Sequence, residues 1–365
     1  MKGLSNLVGA CLSASLLAAC GGGSNGLSPS TPTSFAPPIA VRFTTAAGSA
    51  SLPATAHPNL YVANLRGNTV TVYAKGSTSP LRAISQGVNR PWALAFDRAG
   101  NLYVANIPKR PPGSVTVYAP GGTSVLRTIS QGVNYPDALA FDGSGNLYVA
   151  NNVNDTVTVY APGSTSVLRT ISHGVHEPDA LAFDAYGNLY VGNVDLDEYP
   201  SVVSTVTVYA PGGSKPMRTI PQGVVLPLGL VFDGAGSLYV ADDGQYPYYY
   251  ESSVRVYAKD SKKVLRTIPA KAPDALAFDG SGNLYVADPR KVPVYAPGRT
   301  RPLRTIYDGV SSPHALAFSR SGNLYVANLG GGSEGTVTVY APGSTKMLRT
   351  ISQGINTPFA LAFGP

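Results

Sequence analysis

The sequence predicts an all-β protein, a seven-bladed β-propeller with four-stranded blades, and three observations carry that prediction. Four short strand-like strings each recur seven times along the chain. Turn-forming residues separate the copies, and Gly and Pro are abundant, with 40 and 31 among 365 residues. No stretch of apolar residues at helical spacing interrupts the pattern.

The first string, Asn59-Leu60-Tyr61-Val62-Ala63, recurs from Asn101, Asn146, Asn188, Ser237, Asn283 and Asn323, at intervals of 40 to 49 residues. The second, Val70-Thr71-Val72-Tyr73-Ala74, recurs from Val115, Val157, Val206, Val254, Val292 and Val337. The third, Leu81-Arg82-Ala83-Ile84, recurs from Leu126, Leu168, Met217, Leu265, Leu303 and Leu348. The fourth, Pro91-Trp92-Ala93-Leu94-Ala95-Phe96, recurs from Pro136, Pro178, Pro227, Pro273, Pro313 and Pro358. Each is short, rich in β-branched or aromatic residues and bounded by turn residues, which is how strands read. Asp97-Arg98-Ala99-Gly100-Asn101 and its cognates make a tight hairpin, with Gly free to take positive φ. Ala119-Pro120-Gly121 and its cognates turn the outer strand pair. Four strands at this period make a propeller blade, whereas the coils of a parallel β-helix are much shorter.

The order of the strings predicts how the ring closes. The first repeat lacks the Pro-x-Ala-Leu-Ala-Phe strand, and the chain ends with an unpaired one at Pro358 to Phe363. If that strand is innermost, it completes the blade begun at Asn59. Such closure removes both free sheet edges without a disulfide. A single closed unit over 56–365 also accounts for a length that would otherwise suggest two domains.

The Pro-x-Ala-Leu-Ala-Phe-Asp, Gly-Asn-Leu-Tyr-Val-Ala-Asn and Val-Thr-Val-Tyr segments resemble bacterial NHL and YVTN-type propeller repeats, over roughly 59–365. The resemblance implies architecture more than activity. Proteins with such repeats include binding modules, sensor domains, lyases and lactone hydrolases, and fold does not imply function.

Ahead of the repeats, 1–19 reads as a lipoprotein signal peptide. Met1-Lys2 gives a minimal positive charge and Leu4 to Leu17 a short apolar stretch, too short to span a membrane. Leu17-Ala18-Ala19-Cys20 resembles the bacterial lipobox, which implies cleavage before Cys20, lipidation of its sulfur and anchoring to a membrane. An ordinary signal peptide containing a cysteine is the alternative. Gly21 in place of Asp resembles lipoproteins sent to the outer membrane, so a cell-envelope location is expected. Cys11 then leaves with the signal, and no disulfide is expected in the mature chain. Residues 20–55, rich in Gly, Ser and Pro, read as a flexible tether, within which Val41-Arg42-Phe43 could form a short strand.

The net charge is +7, yet seven of the 27 basic residues are one Arg per repeat and none form a compact basic run. Nucleic-acid binding is therefore not expected, and a monomer is. Those Arg (Arg82, Arg127, Arg169, Arg218, Arg266, Arg304, Arg349) read as solvated guards of the outermost strands. The hairpin Asp (Asp97, Asp142, Asp184, Asp233, Asp279, with Ser319 in the last copy) reads as a turn cap. The Asn or Asp that ends each second strand reads as a loop cap.

Function is sought where the repeats differ. The residue after each blade-starting Pro, at the channel mouth, is Trp92, Asp137, Asp179, Leu228, Asp274, His314 or Phe359. This reads as a mouth acidic on one side and apolar on the other. Nearby, Ser172-His173-Gly174-Val175-His176-Glu177 breaks the consensus. Asp137, Asp179, His176, His314 and Asp274 have the chemistry to hold a divalent metal ion, although their spacing matches no known ligand signature. Two enlarged loops share this face: Val194-Asp195-Leu196-Asp197-Glu198-Tyr199 through Ser204 in blade 4, and Asp243 through Glu251 in blade 5. Asp197, Tyr199, Tyr246, Tyr248, Tyr249 and Tyr250, with Trp92, make a candidate recognition surface, because Tyr gives large contact area at low entropic cost. No G-x-S-x-G elbow, HExxH or Rossmann glycine pattern is present. Two functions follow as expectations. One is a non-enzymatic, lipid-anchored module binding a protein or glycan. The alternative is a metal-dependent lactonase or lyase at the channel mouth.

Overall fold

The computed structural model describes residues 58–194, 204–221, 223–244, 252–330 and 334–365. These residues form seven four-stranded antiparallel sheets, built from 28 strands, with one short 3-10 turn at Asn152–Asn154. The protein is an all-β seven-bladed propeller. Blade 1 is the composite one: the strand Pro358–Gly364 lies inside Asn59–Asn64, which pairs in turn with Thr69–Tyr73 and then Arg82–Ile84. Leu60 faces Phe363, Tyr61 faces Ala362 and Val62 faces Leu361 across the seam. The expected closure is the one observed. The inner strands of blades 2 to 5 are Pro91–Phe96, Pro136–Phe141, Pro178–Phe183 and Pro227–Phe232; blades 6 and 7 use Leu276–Phe278 and Pro313–Phe318.

Strand alternation decides where the core sits. In Asn59–Asn64, Leu60 and Val62 pack into a cluster shared with blade 7, while Tyr61 and Ala63 pack into one shared with blade 2. The same partition repeats round the ring, so each blade is buried on both faces. That is why the second strands read as near-continuous apolar runs rather than alternating ones.

The inner hairpins form as the sequence predicts. In blade 2 the Asp97 and Asn101 backbones bond at 3.1 Å and the Gly100 N–H reaches the Asp97 carbonyl at 3.0 Å. Gly100 holds φ at +82°, a conformation that costs an L side chain strain. Asp97 caps the turn, accepting from the Asn101 backbone N–H at 2.8 Å.

The seven Arg are not solvated guards. Arg127 donates to the Tyr103 hydroxyl at 2.6 Å, with its guanidinium 5.6 Å from that ring's centre. Tyr103 in turn meets Phe141 of the next blade edge-to-face at 5.0 Å. This Arg–Tyr–Phe stack recurs from Arg82–Tyr61–Phe96 to Arg349–Tyr325–Phe363. The arginine stem bridges two strands because its planar head can both donate and lie over a ring. Sequence position alone placed it on an edge strand and could not show the side chain folding back.

A second tyrosine ladder ties neighbouring blades. Tyr118 donates to the Gln86 carbonyl at 2.6 Å, Tyr160 to Gln131 at 2.6 Å and Tyr209 to His173 at 2.7 Å. Burial pushes the Tyr73 and Tyr190 hydroxyls up to about 12 and raises those of Tyr118, Tyr160 and Tyr209.

Candidate functional site

The face carrying the channel mouth is built by one repeated latch. The Asn ending each second strand does more than cap a local loop. Asn106 accepts the Asn89 N–H at 2.9 Å, Asn151 that of Asn134 at 3.0 Å and Asn193 that of His176 at 3.0 Å. Asn64 closes the ring by accepting from Asn356 at 3.0 Å. Each side-chain amide also donates to a threonine of the third strand, as Asn106 does to Thr116 at 3.0 Å. The blade-to-blade loop and the second-to-third-strand loop are thereby fixed on one face, as their chain order requires.

The latch positions the mouth residues. Immediately before the blade-starting proline, Arg90, Tyr135, Glu177, Ala272, Ser312 and Thr357 hold φ between +35° and +56°. The proline then starts the strand with a bulge: the register skips Trp92, Asp137, Asp179, Leu228, His314 and Phe359. A bulge turns one side chain out of the pairing pattern. Here it sets six variable side chains apart from the pairing pattern at the start of the inner strands.

These side chains fill the mouth rather than line an open one. Trp92 is 4% exposed and lies 4.1 Å from Phe359, ring centre to ring centre. Phe359 also stacks with His314 at 3.9 Å. Trp92, the one candidate contact residue among the described positions, is therefore turned inward, packed with Leu65, Ile107 and Phe359. The expected division into an acidic and an apolar side is not what forms. Leu228 stands between Asp179 and Asp274 and joins an apolar cluster with Val194, Val225 and Leu226, so the acids fall into two separate groups.

The first group is a carboxylate pair. Asp137 and Asp179 are both buried and hydrogen-bonded to each other, and Asn152 donates to Asp179 at 3.1 Å. Burial pushes the Asp179 carboxyl up to about 6, against the lowering effect of those bonds. A bond between two carboxyls requires a proton on one of them, so the pair titrates as a unit. The second group is His314, whose Nδ1 lies 3.5 Å from the Asp274 carboxylate and whose ring is 2% exposed. The His176 Nδ1 lies 3.1 Å from the Val194 carbonyl oxygen. Among the described residues no group of three or more His, Cys, Asp or Glu is placed to hold a metal ion.

Sequence reading missed Asn152 and Asp243. Asn152 is polar where blades 1, 2, 4 and 7 have Leu65, Ile107, Val194 and Leu329, and blade 5 breaks the same position with Asp243; that break in the repeat was the available signal. Asp243 is 1% exposed, bonds the Ser252 hydroxyl at 3.2 Å and uses its backbone N–H to reach the Leu226 carbonyl at 3.1 Å. Blade 5 also alters the latch: Asp242 replaces Asn and pairs with Arg255, which replaces Thr, at 2.6 Å. Asp197, Tyr199, Tyr246, Tyr248, Tyr249, Tyr250 and Cys20 lie outside the described residues.

The class of protein is a seven-bladed propeller of short repeats. No family model matches the chain, and no curated protein does. It is similar to the hydrazine synthase of Kuenenia stuttgartiensis, at 17% identity with a TM-score of 0.64 over 78% of this chain and 92% of that one. It is also similar to the computationally designed Ika8 protein, at 19% identity with a TM-score of 0.58 over 81% and 85%. Likeness at that identity shows the fold alone. With 1202 solved chains matching, the fold does not choose among functions.

Proposed function

We propose that the protein is a lipid-anchored cell-envelope propeller that binds a protein or glycan ligand on its mouth face and performs no chemistry there. The observation that carries this reading is the seating of the two enlarged loops. They leave from adjacent blades on one face, between Val194 and Ser204 and between Gly244 and Ser252, beside the mouth positions of Asp179 and Leu228. Their anchors Val194, Ser204 and Asp243 are buried, and the segments they bound carry one Tyr in blade 4 and four in blade 5. A rigid scaffold presenting aromatic loops suits recognition. The filled mouth favours rim contacts over a deep pocket. Among the described residues no three His, Cys, Asp or Glu gather to hold a lactonase or lyase metal.

The test is a glycan array probed with the full chain and with its Tyr248→Ala, Tyr250→Ala double variant, alongside capture of cross-linked envelope proteins. Retention of a defined ligand that the variant loses supports the reading. Equal retention by both, or none by either, contradicts it. Palmitate labelling of the wild type, absent in Cys20→Ala, tests the anchor separately.

A further inference from the structure

On the face opposite the mouth, each inner hairpin carries a repeated polar unit. In blade 2, Asp97 accepts from the Asn101 backbone and side-chain amides at 2.8 and 2.7 Å, and its second oxygen lies 3.4 Å from the Tyr103 hydroxyl. Asp142 and Asp279 repeat this arrangement with Tyr148 and Tyr285. Asp184 and Asp233 cap their hairpins in the same way, accepting from the Asn188 and Ser237 backbone N–H groups at 2.9 and 2.8 Å. In blade 1 no hairpin joins the inner strand to Asn59, and the Pro365 carbonyl accepts the Tyr61 hydroxyl at 2.7 Å instead.

Blade 7 breaks the unit. Ser319 stands where the Asp would be, and its hydroxyl accepts the Asn323 backbone N–H at 3.1 Å. Tyr325 and Arg349, bonded to each other at 3.0 Å, meet no carboxylate from their own hairpin. Beside them a cavity of about 350 Å³ opens along the seam between blades 7 and 1. Its blade 1 wall belongs to the composite blade, in which no hairpin joins the inner strand to Asn59. Ser319, Tyr325 and Arg349 face Leu60, Tyr73 and Lys75 across it. Among its lining residues are three basic side chains, Lys75, Arg320 and Arg349, and no acidic one. Leu60, Ile351 and Phe363 add apolar lining, beside the polar Ser77, Ser319, Ser321 and Asn323.

We propose that this seam cavity binds a small organic carboxylate with an apolar aryl or alkyl body. The ligand carboxylate takes the seat that hairpin aspartates hold in five other blades, with Arg349, Tyr325 and Asn323 as donors. A guanidinium fork matches a carboxylate, and the volume falls within the range of small-molecule pockets, roughly 300–1,000 Å³. The site is independent of the mouth face, so neither reading stands or falls with the other.

The experiment is calorimetric titration of the full chain in detergent with phenylacetate and with its neutral analogue phenylacetamide. Saturable phenylacetate binding at least tenfold tighter than that of the amide is expected. Ser319→Asp restores the residue used by the other hairpins, so it should leave the melting temperature unchanged or higher while weakening phenylacetate at least tenfold. Arg320→Glu, an exposed change that the fold tolerates, should weaken it as well. No saturable binding, equal binding of acid and amide, or undiminished binding by both variants overturns the proposal.

Discussion

Arg255 lies 2.6 Å from Asp242 in blade 5, and the two residues replace the threonine and asparagine that hold the same latch in blades 1 to 4 and 7. Asp242 is fully buried and its two latch bonds, from Val225 and Leu226, are both 2.8 Å. Burial raises its carboxyl above the ordinary range, against the lowering pull of Arg255. Neither substitution makes sense alone, because a buried carboxylate without its cation is costly.

Arg255→Thr should therefore destabilise the propeller by about 3 kcal/mol, the loss typical of removing one partner from a buried pair. The double change Arg255→Thr, Asp242→Asn should recover most of that loss, since it rebuilds the Asn–Thr latch of blade 2. Urea unfolding of the three proteins checks this. Equal losses in the single and double variants would show that the pair is not coupled.

The Asp137–Asp179 pair gives a pH dependence of known sign. Asp179 titrates near 6 rather than at its ordinary value, because burial disfavours the charged form. The stability linked to this group is complete below the ordinary carboxylate range and is lost as pH rises through about 6. Asp179→Asn should raise the melting temperature at pH 8 and leave it nearly unchanged at pH 4. Calorimetry at the two pH values measures it; a variant less stable at pH 8 would show that the ionised pair is favourable.

The tyrosine ladders set the alkaline limit. Tyr73 and Tyr190 titrate near 12 in the folded protein, raised by burial. Their contribution is intact below pH 10, the ordinary tyrosine value, and declines as pH rises toward 12. Tyrosinate absorbance should therefore rise together with loss of the β-sheet circular dichroism signal, in one transition above pH 10. Titration of most tyrosines at pH 10 in a still-folded protein would contradict the burial described.

Closure predicts equivalence between a composite blade and a continuous one. Leu361 in the seam strand and Leu181 in blade 4 are both about fully buried. Leu361→Ala and Leu181→Ala should each cost about 3 kcal/mol, in the range for truncating a core leucine. A much smaller cost at Leu361, with a separate early unfolding step, would mean that the seam frays independently of the ring.

The blade count, the hairpins and the closing strand were legible because they rest on local turn chemistry and strand period, as with Gly100 and Asp97. The Arg–Tyr–Phe stacks were not, since Arg127 and Tyr103 are 24 residues apart and meet across two strands. At the candidate site, chain order placed the variable positions after the blade-starting prolines, and six of the seven sit at a bulge, while blade 6 starts its inner strand only at Leu276, beyond Asp274. It could not show that Trp92 turns inward or that the His176 Nδ1 meets the Val194 carbonyl. Those outcomes depend on bulges and on left-handed residues such as Glu177, whose conformation no residue preference announces.

The central claim is recognition at the mouth face, and site-directed photo-crosslinking in the living cell tests it most directly. A benzophenone amino acid replaces Tyr248 in one strain and Arg98, on the hairpin face, in another. The account predicts a discrete adduct from position 248 and none from position 98. Adducts only from position 98, or from neither position, would contradict it.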